Sequence, residues 1–523
     1  MSNSRPAGDS KMMGLSVLSI SSILGALLAY IRFAQITSIF GANWRTDALA
    51  VAMVFPFLVR EVVAHSFGSA FIPIYSRVME QKGHAAAVAF VGRVISWLVL
   101  SCVVLLTVLW FTSNSLVKII SPNGSSELLQ LASVLLRIFL PMIILETVNG
   151  ILANFIKYEK RFTVLALSGV IGLSVSLVTL LIVRSSIGIQ IIPISTLTGG
   201  VFGFLFLLYQ STKSGFVMKA TLHKDVFLVQ LTRMAGPVVG GTLVGFFAPI
   251  ADKMLASFLP ESSVTAIDYA NRIKNIVLAV VFQPFLTFAD LSFSIEAARG
   301  QKEQLLLVLR KNLNTTSMVM LPTSVLLTIL AVPVVSVFFQ RGNFSSSDSE
   351  YIGYALAFYA PWLAQFGIGS LISRAFYAQK DSATPVTIGI FGAVTNVLLN
   401  LILVGPLGIG GLALATTVTS TAKTVYLTWS LSRKMGGLHL QKILPEQIKI
   451  FVANLTLAGI TIVLLKFWSF DTQASFLIRF MQLTIYTFSG VLGMMIMLFV
   501  LKSTTAKNAV DQILPKIKNR ISR

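Results

Sequence analysis

The sequence predicts an all-α polytopic membrane protein of about fourteen transmembrane helices, two six-helix lobes related by a parallel pseudo-repeat plus two C-terminal helices. Three observations lead there. Of 523 residues, 55% are hydrophobic and only 12% charged, with mean hydropathy +0.81, unlike an ordinary soluble domain. Apolar windows of about 20 residues, enough to cross ~30 Å of hydrocarbon, recur along the chain. Lysine and arginine fall on alternate connections between those windows.

The windows run in order. Those at 13–39, 47–76, 87–112, 127–156, 162–183 and 190–210 make up an N-terminal lobe, 1–225. The polar head before them leads into an apolar stretch longer than a signal-peptide core, so the first helix is read as retained. Windows at 228–258, 266–296, 314–338, 351–377, 384–404 and 409–431 make up a C-terminal lobe, 226–440. Two more, 447–467 and 475–501, together with a basic tail, occupy 441–523. Pro56, Pro73, Pro141, Gly236-Pro237, Pro284 and Pro361 sit well inside spans and are candidate bends, their freed backbone groups satisfied by neighbours or cavity water.

Two pairs of segments carry the pseudo-repeat. Ser38-Ile-Phe-Gly-Ala-Asn-Trp-Arg-Thr-Asp-Ala resembles Ser257-Phe-Leu-Pro-Glu-Ser-Ser-Val-Thr-Ala-Ile, and each opens a span that contains an arginine, Arg60 or Arg272. Arg137-Ile-Phe-Leu-Pro141 through Lys160 parallels Phe358-Tyr-Ala-Pro361 through Lys380. The offset is about 220 residues, or six helices, and an even number preserves orientation. Parallel repeats of this kind occur in transporters, with the site between the halves.

The net charge of +21 is topological. Arg77 and Lys82; Lys157, Lys160 and Arg161; Lys213, Lys219 and Lys224; Arg299, Lys302, Arg310 and Lys311; Lys380; and Arg433, Lys434 and Lys442 all fall on one side. Arg5, Lys11 and the tail from Lys502 to Arg523 join them, whereas the opposite loops hold only Arg45, Lys118, Arg184, Arg341 and Lys466. Both termini are therefore expected in the cytoplasm, with the basic side against anionic lipid headgroups and no nucleic-acid partner.

Soluble catalytic chemistry has no foothold in the motifs. The single cysteine, Cys102, rules out an internal disulfide or paired-cysteine metal site, and the four histidines at 65, 84, 223 and 439 are scattered. There is no Walker A, G-x-S-x-G or H-E-x-x-H pattern, so a transporter is favoured over an enzyme.

What remains is a set of ionisable residues at membrane depth. A charge there costs roughly 2.5–3.5 kcal/mol on insertion scales and marks a protein interior or wet cavity. Arg32, Arg60 and Arg272 lie on helices that the repeat gathers around one cleft, and a guanidinium's planar donor fork suits phosphate or pyrophosphate. The structural alternative is neutralisation by Asp47, Glu61 or Asp268. Asp47 follows Thr46 where the second span begins, so a helix cap or an arginine brace is its expected role. Glu61 and His65, four apart, share a helical face and either relay protons or form a simple hydrogen-bonded pair. Asp252, Asn396, Asn400 and Thr416 offer oxygens that suit a small hard cation, although interhelical polar contacts are the preferred reading.

At these residues the chain resembles the MurJ/MviN family of bacterial lipid II flippases, in the multidrug/oligosaccharidyl-lipid/polysaccharide exporter superfamily. The matching segments are Phe40-Gly41 with Thr46-Asp47-Ala48, Phe55-Pro56 with Arg60, Ala70-Phe71-Ile72-Pro73, Ala256-Ser257-Phe258-Leu259, and Tyr269-Ala270 with Arg272. Phe339-Gln340-Arg341-Gly342-Asn343-Phe344, Phe376-Tyr377-Ala378 with Asp381, Thr384-Pro385, Gly405-Pro406-Leu407-Gly408 and Gly411-Leu412-Ala413 follow in the family's order.

The resemblance implies fourteen helices around a V-shaped cationic cavity in the bacterial cytoplasmic membrane. It implies transfer of undecaprenyl-pyrophosphoryl disaccharide-pentapeptide to the outer leaflet for peptidoglycan synthesis, alongside other peptidoglycan-synthesis proteins. Arg32, Arg60 and Arg272 then face the pyrophosphate, Asp47 is the family's essential acid, and Asp252, Asn396, Asn400 and Thr416 match positions that hold sodium in some relatives. This chain departs from the pattern at Ala26, Glu61, His65-Ser66 and Asp290, which lowers the cavity's positive charge. Two alternatives stay open: export of another polyprenyl-linked saccharide, and a non-transporting scaffold of envelope synthesis.

Overall fold

Several helices in this chain end where proline or glycine makes continuation costly. A proline ring clashes with the carbonyl four residues earlier and lacks the N–H that would bond it. Pro56 stands four residues after Ala52, and Pro333 four after Ile329; each of those earlier residues ends a helix. The computed structural model describes residues 7–183, 187–217, 221–282, 286, 293, 302–379, 381–437, 440–508 and 510–511, with helices, turns and no strand among them.

In chain order the helices are α1 (Ala7–Phe40), α2 (Trp44–Ala52), α3 (Val54–Ile120), α4 (Ser126–Tyr158), α5 (Phe162–Val183), α6 (Ile191–Thr212), α7 (Val226–Ala256) and α8 (Ser263–Val277). Then follow α9 (Lys302–Ile329), α10 (Ala331–Phe339), α11 (Ser346–Tyr359), α12 (Trp362–Ala378), α13 (Ala383–Leu407), α14 (Ile409–Met435), α15 (Leu440–Phe467) and α16 (Phe476–Val500).

Among the described residues, nine helices are long and apolar enough to cross a membrane, or ten if α9 and α10, bent by 80°, count as one span. The chain is a multi-pass membrane protein. This number is below the expected fourteen for physical reasons. A straight helix of the 67 residues of α3 would extend roughly 100 Å, far beyond one ~30 Å hydrocarbon core, but α3 folds back on itself: Phe71 and Phe90, nineteen residues apart, stack with ring centroids 6.3 Å apart. Gly83, at φ 79° and ψ 177°, breaks that helix where the windows 47–76 and 87–112 meet. The threonine-rich α14, carrying Lys423, is less apolar than the other spans. Much of the window 266–296, including Pro284 and Asp290, lies outside the described residues.

Two compact units divide the chain, Met1–Thr265 and Ala266–Arg523. In the first, α3 packs along α4 around an aromatic core. Tyr75 stands edge-on to Tyr158 at 4.7 Å between ring centroids and to Phe155 at 5.9 Å, while Phe71 stacks on it from the next turn. Helices α5 and α6 meet through small residues, so their backbones approach closely. A Cβ on Gly199 would lie 2.3 Å from the Gly172 carbonyl oxygen and 2.8 Å from the Ser176 Cβ. Helix α7 packs on α3, and Asp225, its N-cap, pairs with Arg93 of α3 at 2.6 Å.

The second unit centres on Leu309, Leu371, Phe376, Leu427 and Leu431, all buried. Helices α13 and α14 form a hairpin so tight that a Cβ on Gly411 would fall 2.1 Å from the Leu403 carbonyl oxygen. Helices α15 and α16 pair with one another, and buried Arg479 ties α16 to α10. Its guanidinium donates to the Ser336 carbonyl at 3.1 Å and hydroxyl at 2.8 Å.

Candidate functional site

The cap of α2 is not the one expected from Thr46 and Asp47. Helix α2 begins one residue after Asn43, whose side-chain oxygen accepts from the Arg45 and Thr46 N–H groups. The Asn43 N–H donates back to Thr46 Oγ1 at 2.8 Å, a closed capping box. This arrangement releases Asp47 for another partner.

Asp47 is buried and faces residues 262–265, where α8 begins. Its Oδ2 accepts from the Ser262 N–H at 2.8 Å; its Oδ1 accepts from the Thr265 N–H at 2.7 Å and the Thr265 hydroxyl at 2.6 Å. First-turn N–H groups of a helix have no intrahelical acceptor, and a carboxylate there also meets the positive end of the helix dipole. Asp47 therefore caps a helix that starts over 200 residues later in the chain, instead of its own. Two further bonds fix the same turn: Trp44 N–H to Glu261 at 2.9 Å, and the Ser262 hydroxyl to the Ala42 carbonyl at 3.0 Å.

The three arginines have different surroundings. Arg32 of α1 reaches the first turns of α6, donating to Thr196 Oγ1 at 2.6 Å, Ser195 Oγ at 3.3 Å and the Ile192 carbonyl at 3.4 Å. Arg60 is the most open, with 47% of its side chain accessible. Its guanidinium lies 5.1 Å from the Phe57 ring centroid and 3.6 Å from Glu61. Arg272 of α8 forms a 2.7 Å ion pair with Asp268, one turn earlier on the same helix. Neutralisation by a carboxylate thus applies to Arg272 through Asp268 and, more loosely, to Arg60 through Glu61.

Glu146 of α4 also acts electrostatically on Arg60 and Glu61, so the surroundings of Arg60 are less cationic than the arginine pattern alone suggests. Its presence was readable as the carboxylate deep inside the apolar window 127–156, whose other one, Glu127, stands at its first residue. Lys274 was likewise visible in sequence, two residues after Arg272. It is buried with its ammonium 4.0 Å from the Trp362 ring centroid and 4.5 Å from that of Tyr359, where cation–π attraction offsets desolvation. The side chain of His65 lies outside the described residues, so its pairing with Glu61 has no geometry here.

The oxygen-bearing set divides between the two units. Asp252 is buried on α7, in the first. In the second, Asn400 donates to Asn396 Oδ1 at 3.2 Å, Asn396 to Thr416 Oγ1 at 3.4 Å, and Thr416 to the Leu412 carbonyl at 3.3 Å. This relay links α13 to α14 as interhelical polar contacts do. Its neutral oxygens also fit a hard cation in kind, since such ions take amide and hydroxyl oxygens. Among the described residues no group of three His, Cys, Asp or Glu side chains is placed to hold a metal.

A family model described as lipid II flippase MurJ matches residues 36–481. The probable lipid II flippase MurJ of Buchnera aphidicola subsp. Acyrthosiphon pisum (strain APS) is 26% identical over 473 residues, covering 88% of this chain and 92% of that protein. The lipid II flippase MurJ of Burkholderia cenocepacia is 26% identical over 467 residues, covering 85% and 89%. In fold, the chain resembles a solved lipid II flippase MurJ in an inward closed conformation, with TM-score 0.76 at 22% identity over 91% of this chain and 97% of that one. An inward-facing multidrug resistance MATE family transporter superposes with TM-score 0.67 at 18% identity, over 81% and 98%.

Proposed function

The chain belongs to the lipid II flippase MurJ family, and from that premise we propose that it carries lipid II from the inner to the outer leaflet of the bacterial cytoplasmic membrane. It is a transporter by family, and its cargo is an undecaprenyl-pyrophosphate glycolipid. The carrying observation is Arg60: a half-exposed guanidinium at membrane depth, inside the stretch that matches the family. An exposed cation in that position is costly unless water or an anion meets it.

In this reading the lobes 1–225 and 226–440 alternate in access, with 441–523 appended and both termini in the cytoplasm. Arg32, Arg60 and Arg272 supply the positive charge that the pyrophosphate takes. Asp268 and the α6 hydroxyls hold two of those guanidiniums in fixed rotamers, which lowers the ordering cost of binding. Asp47 supports the site through the start of α8, and Glu61 with His65 tunes charge beside Arg60. Moving net charge across the membrane is worth ~2.3 kcal/mol per charge per 100 mV, so the membrane potential biases the cycle. A sodium ion on the oxygen-bearing residues Asp252, Asn396, Asn400 and Thr416 is part of the proposal. Peptidoglycan-synthesis enzymes are its expected partners.

The two carboxylates around Arg60 favour one second reading, a polyprenyl-linked saccharide other than lipid II. Rescue of cells depleted of their own flippase tests both. Wild type should restore growth, whereas Arg60→Ala and Arg272→Ala at equal expression should not. Full rescue by both variants would remove the arginine model, and rescue confined to strains lacking a different glycolipid exporter would favour the second cargo.

A further inference from the structure

The second unit contains a cavity of about 540 Å³ between α13 and α14 that the proposed arginine site does not use. Phe391, Ile388 and Tyr426 give it an apolar wall, threonine and serine hydroxyls line the rest beside Lys423, and among the described residues no carboxylate lines it. Lys423 enters from α14. Its stem passes over Gly392, where a Cβ would lie 2.8 Å from the Lys423 Cδ, so the missing side chain makes room for the lysine. One turn away Thr419 is buried, and among the described residues its hydroxyl has no hydrogen-bond partner. Asp381, close by through Thr384, is already engaged with Lys434 and with the Thr384 N–H and hydroxyl.

A lysine at membrane depth and an unsatisfied buried hydroxyl on one helical face both call for an anion. Lys423 is ten residues before Arg433, roughly 15 Å along α14, but the cavity also extends to Ala383 and Thr384 where α13 begins and to Ser430, three residues before Arg433. The cavity therefore lies within reach of lipid headgroups at the basic end of α14. Its volume and lining, an apolar wall facing hydroxyls and one cation, are those of an amphiphile site, and lysine binds phosphate as a point charge.

We propose that this cavity binds the phosphate of a membrane lipid, with Lys423 as its cation, Thr419 as its hydroxyl donor, and the lipid chain along Phe391 and Tyr426. A free phosphate shares the headgroup chemistry but has no use for the apolar wall.

The test is native mass spectrometry on the delipidated full-length protein titrated with phosphatidylglycerol. Wild type should take up one lipid about tenfold more tightly than Lys423→Gln or Thr419→Val. Lys423→Arg, which retains the charge, should keep most of the affinity. Gly392→Ala, which retains the lysine but crowds its stem, should lose part of it. Diacylglycerol, lacking phosphate, should not bind this site. Equal affinity in wild type and Lys423→Gln would overturn the proposal. So would displacement of the lipid by equimolar inorganic phosphate, which would assign the cavity to a free anion.

Discussion

Removing the Asp47 carboxylate should unlock the start of α8. Asp47→Ala withdraws the acceptor of three hydrogen bonds, two from the amides of Ser262 and Thr265 and one from the Thr265 hydroxyl. The hydroxyl has a second oxygen within reach, Thr46 Oγ1 at 3.0 Å, so its loss is recoverable. The two amides have no such substitute, and a buried unsatisfied donor costs about 1–3 kcal/mol. Thr265 is buried and Ser262 only partly so, which keeps the second donor's cost near the low end, and together they amount to roughly 2–4 kcal/mol of local stability, or about a 30- to 900-fold rise in opening. Asp47→Asn, which keeps one acceptor oxygen and turns an NH₂ toward the other amide, should give about a tenfold rise. Amide hydrogen exchange over residues 262–265 measures this directly, with α16 as the internal control. Unchanged protection of those amides in Asp47→Ala would refute the capping argument.

Other perturbations test separate parts of the structure. Gly199→Ala should separate α5 from α6, because its methyl would meet the Gly172 carbonyl at 2.3 Å; a melting temperature equal to wild type would show that the helices yield without cost. Asp381 is held at a pKa of about 2, mainly by its hydrogen bond with the Lys434 ammonium. Since the folded value lies below the ordinary value near 3.9, its contribution to stability is present above pH ~4 and is lost as pH falls toward 2. Carboxyl-carbon NMR should show a group titrating near 2 that disappears in Asp381→Asn and moves up toward ~4 in Lys434→Gln, and no movement would exclude the pair. Asp268→Asn should retain more transport than Arg272→Ala if Arg272 acts through its charge; equal losses would mean that the ion pair itself is the functional unit.

Composition and the recurrence of apolar windows made the helical membrane architecture legible, because both follow from what a bilayer excludes. Breaks were less so. Pro56 and Pro361 mark real interruptions, yet the 80° bend between α9 and α10 comes from Pro333, which looked like one more residue of an apolar window. The break in α3 was legible, since Gly83 lies in the polar stretch with Arg77, Lys82 and His84 that separates the windows 47–76 and 87–112.

At the site, the intramembrane arginines could be found from their cost in lipid, but their partners could not. Arg32 is held by hydroxyls on α6, some 160 residues away, and nothing in local spacing points there. Arg272–Asp268 was readable because four residues make one helical turn. Asp47 was recognisable as a cap, but which helix it caps depends on long-range packing that no window of sequence contains.

The most direct test of the central claim is leaflet transfer of labelled lipid II by the purified protein in vesicles held at a defined membrane potential. Wild type should transfer lipid II faster than protein-free vesicles, and Arg60→Ala and Arg272→Ala should fall to the protein-free rate. Transfer unaffected by loss of both arginines, or no wild-type transfer of lipid II while another polyprenyl-pyrophosphate glycolipid is moved, would contradict it.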